Sequence, residues 1–220
     1  MKGMPRVLSA VGVALAVGAM EPSLAAGYGF YASYETGSVG YEIADLPDGI
    51  GDLDVEADTV HTAVGFAMDT APYGKKVFNY SLRTGIEWLE TDHDDSQVGR
   101  IGELRLTGIS VDNAFTFGVV RLDRFRFWLG PQIKVALFAG DFEQQYAPDA
   151  RSFLARVGLG ATVGANFRLG DRFTIGTSAA YTYSGYAGHL EGDLLGLGDD
   201  ENDVLVGPAS ELSFTISFLF

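Results

Sequence analysis

The chain ends on ELSFTISFLF, residues 211–220, and this stretch decides the fold. Bulky apolar side chains occupy every second position from Leu212 to Phe220, and Glu211, Ser213, Thr215 and Ser217 lie on the opposite face. Successive side chains of a β-strand point to opposite faces, whereas on a helix this pattern would scatter its apolar residues around the axis. The terminus therefore predicts a strand with one apolar and one polar face.

Seven further segments show the same alternation. They run from about Gly27 to Glu42, Thr59 to Asp69, Lys76 to Leu89, Arg100 to Val120, Arg124 to Gly140, Ser152 to Leu169 and Arg172 to Tyr186, and the last strand begins near Val204. Residues 103–106 break the alternation, as a bulge or a strand extending beyond a membrane would. Pro131 predicts a local bulge, because proline is disfavoured in a central strand.

The predicted connections alternate in length. The short ones are Thr70–Lys75, Arg121–Asp123 and Gly170–Asp171, and the long ones are Ile43–Asp58, Glu90–Gly99, Asp141–Arg151 and Ala187–Asp203. An even strand count with short turns at one end and long loops at the other is typical of bacterial outer-membrane proteins. The sequence thus predicts an all-β fold, an eight-stranded antiparallel up-and-down transmembrane β-barrel with both termini in the periplasm.

The composition of the two strand faces indicates which face contacts lipid and which lines the lumen. The apolar rows are bulky and suit lipid, whereas the opposite rows, as in residues 158–164 and 174–182, are rich in Gly, Ser and Thr and suit a narrow lumen. A Lys or Arg facing lipid at mid-strand would cost about 2–4 kcal/mol. We therefore expect the charges on the polar rows to form a salt-bridge network that plugs the lumen. These residues are Glu35, His61, Arg83, Glu87, Asp112, Lys134, Arg156 and Glu211.

The N-terminus has the features of a secretory signal. Lys2 and Arg6 precede an apolar run over 7–19, and small residues at 23–26 offer a cleavage site. The run is shorter than the ~20 residues of a membrane-spanning helix. We expect residues 1–26 to be a cleaved signal peptide, residues 27–220 to form the barrel, and the protein to lie in the outer membrane of a Gram-negative bacterium.

Composition excludes several kinds of site. The absence of cysteine excludes disulfides, thiolate zinc sites and cysteine nucleophiles. A net charge of −14 disfavours nucleic acid as a partner. The predicted outer loops are acidic, and oxygen ligands in such loops suit calcium or magnesium. Weak metal candidates are Asp52, Asp54, Glu56, Asp58, Asp199 and Asp200.

The acidic loops lack the glycine and the distal glutamate of a calcium-binding loop, so solvated, mutually repelling carboxylates are the favoured interpretation. Divalent cations or another envelope protein with a basic surface are the partners that these loops would suit. The sequence predicts no cofactor.

The signal sequence, the eight-strand rhythm and the terminal strand together resemble the small eight-stranded outer-membrane proteins, the group around the OmpA transmembrane domain, OmpX and OmpW. The resemblance covers the whole of residues 27–220. In that group an alternating last strand with a final aromatic residue is similar to the signal read by the barrel-assembly machinery, which here is Phe214, Ile216, Phe218 and Phe220. The resemblance implies contacts with outer-membrane lipids and lipopolysaccharide, and with that machinery during biogenesis.

Three functions are compatible with these features. A structural or surface-interaction role with a plugged lumen is favoured, and a narrow channel for small or apolar solutes, as in the OmpW-like class, is an alternative. A lipid A-modifying enzyme is disfavoured, because such a site needs a Ser–His–acid type arrangement. The histidines are His61, His93 and His189, and His189 follows Ser184 rather than preceding it, unlike the deacylase order.

Overall fold

Eight long strands make up the described part of the chain. The computed structural model describes residues 26–44, 53–72, 76–95, 99–144, 150–191 and 203–220, so most of the predicted signal peptide lies outside the described residues. The strands are β1 (Gly27–Ala44), β2 (Leu53–Asp69), β3 (Phe78–Asp95), β4 (Gly99–Arg121), β5 (Phe125–Gln144), β6 (Ala150–Leu169), β7 (Phe173–Glu191) and β8 (Asp203–Leu219). Within these ranges no helix is long and apolar enough to cross a membrane.

The strands close into a barrel in which each pairs antiparallel with its neighbours in sequence and β8 returns to β1. The closing register pairs Phe30 with Phe218 and Thr36 with Leu212. The ladder is continued by Phe220, whose N–H donates to the carbonyl of Tyr28 at 2.8 Å. The eight-stranded up-and-down barrel is therefore confirmed, and within the described ranges every strand pairs with a neighbour on both sides, as a bilayer demands.

The outward face carries the bulky apolar rows. Ile109 and Leu159, both near mid-strand, are 67% and 63% exposed. Aromatic rings gather at the end of the barrel where β1 begins and β8 ends, hereafter the terminal end. There the pairs are Phe78–Phe117, Phe125–Phe167 and Phe173–Phe218, with centroids 5.8, 5.0 and 6.4 Å apart. An apolar belt edged by aromatic rings is the outer surface of a membrane-spanning barrel.

At the opposite, far end the strands run longer than the sequence predicts. β3 reaches Asp95 rather than Leu89, β5 reaches Gln144 rather than Gly140, and β2 already begins at Leu53. The far-end connections shrink to 45–52, 96–98, 145–149 and 192–202, which lie outside the described residues. Strict alternation of loop length is therefore wrong, since 96–98 is no longer than 122–124. The asymmetry lies in the strands, whose backbone pairing continues past the apolar belt.

The two predicted irregularities have different outcomes. The break in β4 is a strand extension, with Leu104 and Leu106 turned inward and Arg105 turned outward. The bulge expected at Pro131 is wrong, since the register is the same on both sides of it and shifts instead between Gly118 and Val120. The missing N–H of a proline removes one ladder donor, and this does not require an inserted residue.

The depth of a charged side chain within the apolar belt should determine how much it lowers the free energy of unfolding. Replacing Leu159, near mid-strand on β6, by Arg should lower the free energy of unfolding in lipid vesicles by about 2–4 kcal/mol. The control is Leu122→Arg, at a residue that is 59% exposed but lies in the turn between β4 and β5. That change should cost about 0–1 kcal/mol. Equal losses, measured by urea unfolding, would contradict the membrane placement.

Candidate functional site

The inward rows bring all eight predicted lumen charges inside the barrel. All except Asp112 are buried, and Asp112 is half-buried. They separate into two groups along the barrel axis. The larger, hereafter the central cluster, comprises Glu35, His61, Glu87, Lys134, Arg156 and Glu211.

Arg156 on β6 joins the central cluster across the lumen. Its guanidinium Nη2 donates to carboxylate oxygens of Glu35 on β1 and Glu211 on β8. Nη1 lies 3.1 Å from Oε1 of Glu87 on β3, and Nε donates to Oγ of Ser184 at 3.2 Å. One fully buried side chain therefore connects strands on opposite sides of the barrel.

Lys134 and His61 complete the network. The Lys134 ammonium lies 3.2 Å from Oε2 of Glu35 and 3.1 Å from Oε1 of Glu87. His61 places Nδ1 2.9 Å from Glu87 Oε1 and Nε2 3.1 Å from the hydroxyl of Tyr186. Each carboxylate of the cluster thus meets at least one cation, which buried charges require.

The cluster holds more carboxylates than cations. Glu35, Glu87 and Glu211 face Lys134 and Arg156, so with His61 neutral one negative charge stays unbalanced. Neutral hydrogen-bond donors reduce the free-energy cost of burying this charge. The Ser184 hydroxyl donates to Oε2 of Glu211 at 2.6 Å and the Tyr186 hydroxyl to Oε1 at 2.5 Å. Hydrogen bonds to a buried carboxylate replace part of its lost hydration.

The smaller group lies nearer the terminal end. Arg83 donates to Asp112 Oδ2 at 3.2 Å and to Oγ of Ser178 at 3.0 Å. A cavity of ≈ 10 Å³ separates it from the central cluster, enough for about one water molecule. The gap between the two groups is therefore narrow.

Sequence reasoning missed an apolar layer that covers the central cluster at the far end. Its largest inward side chains come from β3, β4, β5, β6 and β7. The layer consists of Val39, Ala57, Leu89, Leu104, Leu106, Ala136, Phe138, Phe142, Ala150, Leu154, Tyr186 and Ala209. The available signal was the reversal on β4, where the apolar residues change from the outward to the inward row.

A polar layer at the terminal end was also missed. Arg126 donates to the carbonyls of Ala71 and Val77, the latter at 3.2 Å. Asn166 donates to Oδ2 of Asp69 at 3.2 Å. Arg126 lies an even number of residues from Lys134, and Asp69 an even number from His61. Each pair therefore shares the inward face of its strand, and the alternation could have identified Arg126 and Asp69 as inward residues.

Of the predicted metal candidates, only Glu56 and Asp58 have side chains among the described residues. Glu56 and Asp58 are exposed on the outward face of β2, Asp54 lies on the same strand, and Asp52, Asp199 and Asp200 fall outside the described residues. Among the described side chains, Glu35, His61 and Glu87 offer ligand atoms within 4.8 Å of one another. Lys134 and Arg156 already bind these carboxylates, so a metal ion there would face two cations.

The residues considered for a deacylase-like site are also apart. Ser184 is buried against Glu211, whereas His189 is partly exposed and lies 3.4 Å from Glu191. The side chain of His93 is outside the described set. The residues of the predicted assembly signal, Phe214, Ile216, Phe218 and Phe220, lie on the lipid-facing row of the last strand.

Comparison with known proteins supports the fold. No family model and no curated protein matches the chain. The outer membrane protein OprG from Pseudomonas aeruginosa matches with a TM-score of 0.56 and 13% identity over 88% of this chain and 96% of that one. AlkL matches with a TM-score of 0.41, 16% identity, and 87% and 90% coverage. Neisserial surface protein A matches with a TM-score of 0.36 and 12% identity over 88% of this chain and 99% of that one. The likeness to OprG shows the fold of a small eight-stranded outer-membrane barrel.

Removing Arg156 should destabilise the barrel strongly. The variant Arg156→Met leaves three buried carboxylates with only Lys134 as a full cationic partner, and losing one member of a buried pair costs about 3–5 kcal/mol. Denaturant unfolding in vesicles measures the change.

The matched control is Arg105→Met, at an exposed arginine whose Nε lies 2.8 Å from Glu103. That carboxylate raises the pKa of Arg105, but the pair is solvated and its loss should leave the unfolding midpoint nearly unchanged. Equal effects of the two variants would show that the central cluster does not stabilise the barrel.

Proposed function

We propose that this protein is a closed-lumen barrel of the outer membrane with a structural or surface-interaction role in the cell envelope. The observation that carries the proposal is the double closure of the lumen. The central cluster crosses it from β6 to β1, β3 and β8, and the apolar layer covers the cluster on the far side.

A solute passing through would have to break both layers. Arg156 alone is bound to three carboxylates on three strands, and separating buried partners costs several kcal/mol for each charge left unpaired. At the next step the layer presents mainly apolar side chains to a polar solute, beside the hydroxyl of Tyr186 and the buried hydroxyls of Thr59, Thr91 and Ser152. These two barriers in series favour a plug over a water-filled pore.

The far-end extension supports the surface role. Strands that continue beyond the apolar belt hold charged side chains in a fixed framework above the membrane. The exposed charges there are Glu56, Asp58, Glu90, Asp92, Arg105, Asp141, Glu143, Arg151 and Glu191. This predominantly acidic surface suits divalent cations or a basic envelope protein. The proposal places the far end outside the cell and both termini in the periplasm.

Planar-bilayer recording tests the closed lumen. The native protein should give no stable current steps. A variant that weakens both layers, Arg156→Ser with Phe138→Ala, should conduct, because it removes the central guanidinium and a fully buried ring above it. Leu159→Ala, on the lipid face, is the matched control and should remain closed.

Other results would redirect the assignment. Stable conductance by the native protein, or swelling of liposomes in small sugars, would favour the channel for small or apolar solutes. A change in the lipid A mass spectrum on expression, lost in His189→Ala, would instead support a lipid A-modifying enzyme.

A further inference from the structure

The two ends of the barrel wall differ in the sign of their exposed charge. The turns at the terminal end carry mostly cations, whereas the outward face of the far end carries mostly carboxylates. We name the terminal-end cations the basic rim. It consists of the exposed Lys76, Arg121, Arg124 and Arg172 together with Arg168, which is half-buried and donates from Nη2 to the carbonyl of Asp171 at 2.9 Å. The acidic residues among the described positions of these turns are Asp123 and Asp171.

The basic rim is one continuous surface. The backbone N–H of Arg168 donates to the carbonyl of Arg124 at 2.9 Å, which joins the turn after β4 to the end of β6. The N–H of Gly118 donates to the carbonyl of Val77 at 2.7 Å, which brings the segment containing Lys76 beside β4. The cations therefore follow a single arc from β3 to β7.

Apolar side chains interleave with these cations up to the tips of the turns. Leu122 follows Arg121 and is exposed, and Leu169 follows Arg168 and is exposed as well. The rings of Phe125 and Phe167 lie just inside the arc. Aromatic rings mark the depth of lipid headgroups, so the cations next to them lie at the depth of the phosphates.

We propose that the basic rim binds the phosphates of anionic phospholipids in the leaflet at the terminal end. Arginine forks suit phosphate oxygens, and the neighbouring leucines contact the upper part of the acyl chains. Leu122 and Leu169 continue the apolar belt that lipid already covers, which favours a lipid over a soluble acidic partner. The acidic far end would repel the same headgroups, so the binding also orients the barrel.

Spin-label spectroscopy tests this inference with the full chain in phosphatidylcholine vesicles holding a trace of spin-labelled lipid. We expect labelled phosphatidylglycerol to be preferred at the barrel wall over labelled phosphatidylcholine by ~5-fold, the factor expected for one surface cation. The double variant Arg124→Gln, Arg172→Gln should lower the preference at least twofold. Raising the salt to ~1 M should do the same, since exposed charges are then screened.

The matched control is the double variant Arg105→Gln, Arg151→Gln, which removes two exposed cations from the far end. It should keep the native preference. An absent preference in the native protein, or one lost equally in both variants, would overturn the proposal. Inorganic phosphate that abolishes the preference at an ionic strength where chloride does not would assign the rim to free phosphate instead.

The inference rests on the barrel spanning a bilayer and not on the lumen being closed. A conducting native barrel with intact lipid preference would refute the proposed plug alone. A silent barrel without lipid preference would refute the basic rim alone. Unfolding midpoints of the double variants, measured in parallel, exclude loss of fold as the cause.

Discussion

Closure of β8 on β1 is the constraint on which the rest of the structure depends. A bilayer offers no partners to backbone groups, so a sheet inside it must satisfy every N–H and C=O internally. With eight strands the closed sheet is narrow, and inward side chains from opposite walls meet across the axis. Arg156 on β6 can therefore reach Glu35 on β1. The same closure satisfies the backbone inside lipid and brings charged side chains of opposite walls together in the lumen.

The central cluster contributes specificity of register more clearly than net stability. A buried ion network often stabilises no more than apolar residues of the same volume, whereas breaking it is costly. A slip of β6 by one residue would turn Arg156 toward lipid and Val157 toward the carboxylates. The cluster is satisfied in one register only, because its members come from six strands, β1, β2, β3, β5, β6 and β8.

Much of the fold, and the set of lumen charges, could be predicted because lipid requires apolar side chains on the outward row along each membrane-spanning segment. Beyond the lipid this requirement no longer applies. The sequence therefore did not predict the far-end strand boundaries or the apolar layer. Leu104 points inward and Arg105 outward, as the alternation along β4 requires. Here, however, the inward residue is apolar and the outward one is charged, the reverse of the membrane segment. The pairing within the central cluster depends on the stagger between strands that are distant in sequence, which alternation alone does not define.

The reversal on β4 also locates one edge of the membrane. Ile109 points outward and is apolar, whereas Arg105 points outward and is charged, so the lipid ends between them. At the terminal end no reversal occurs, because exposed apolar side chains continue as far as Leu122 in the turn. One end of the barrel thus stands in water and the other ends at the interface. The central cluster lies near the watery end, and the inverted rows build the apolar layer that shields it from that water.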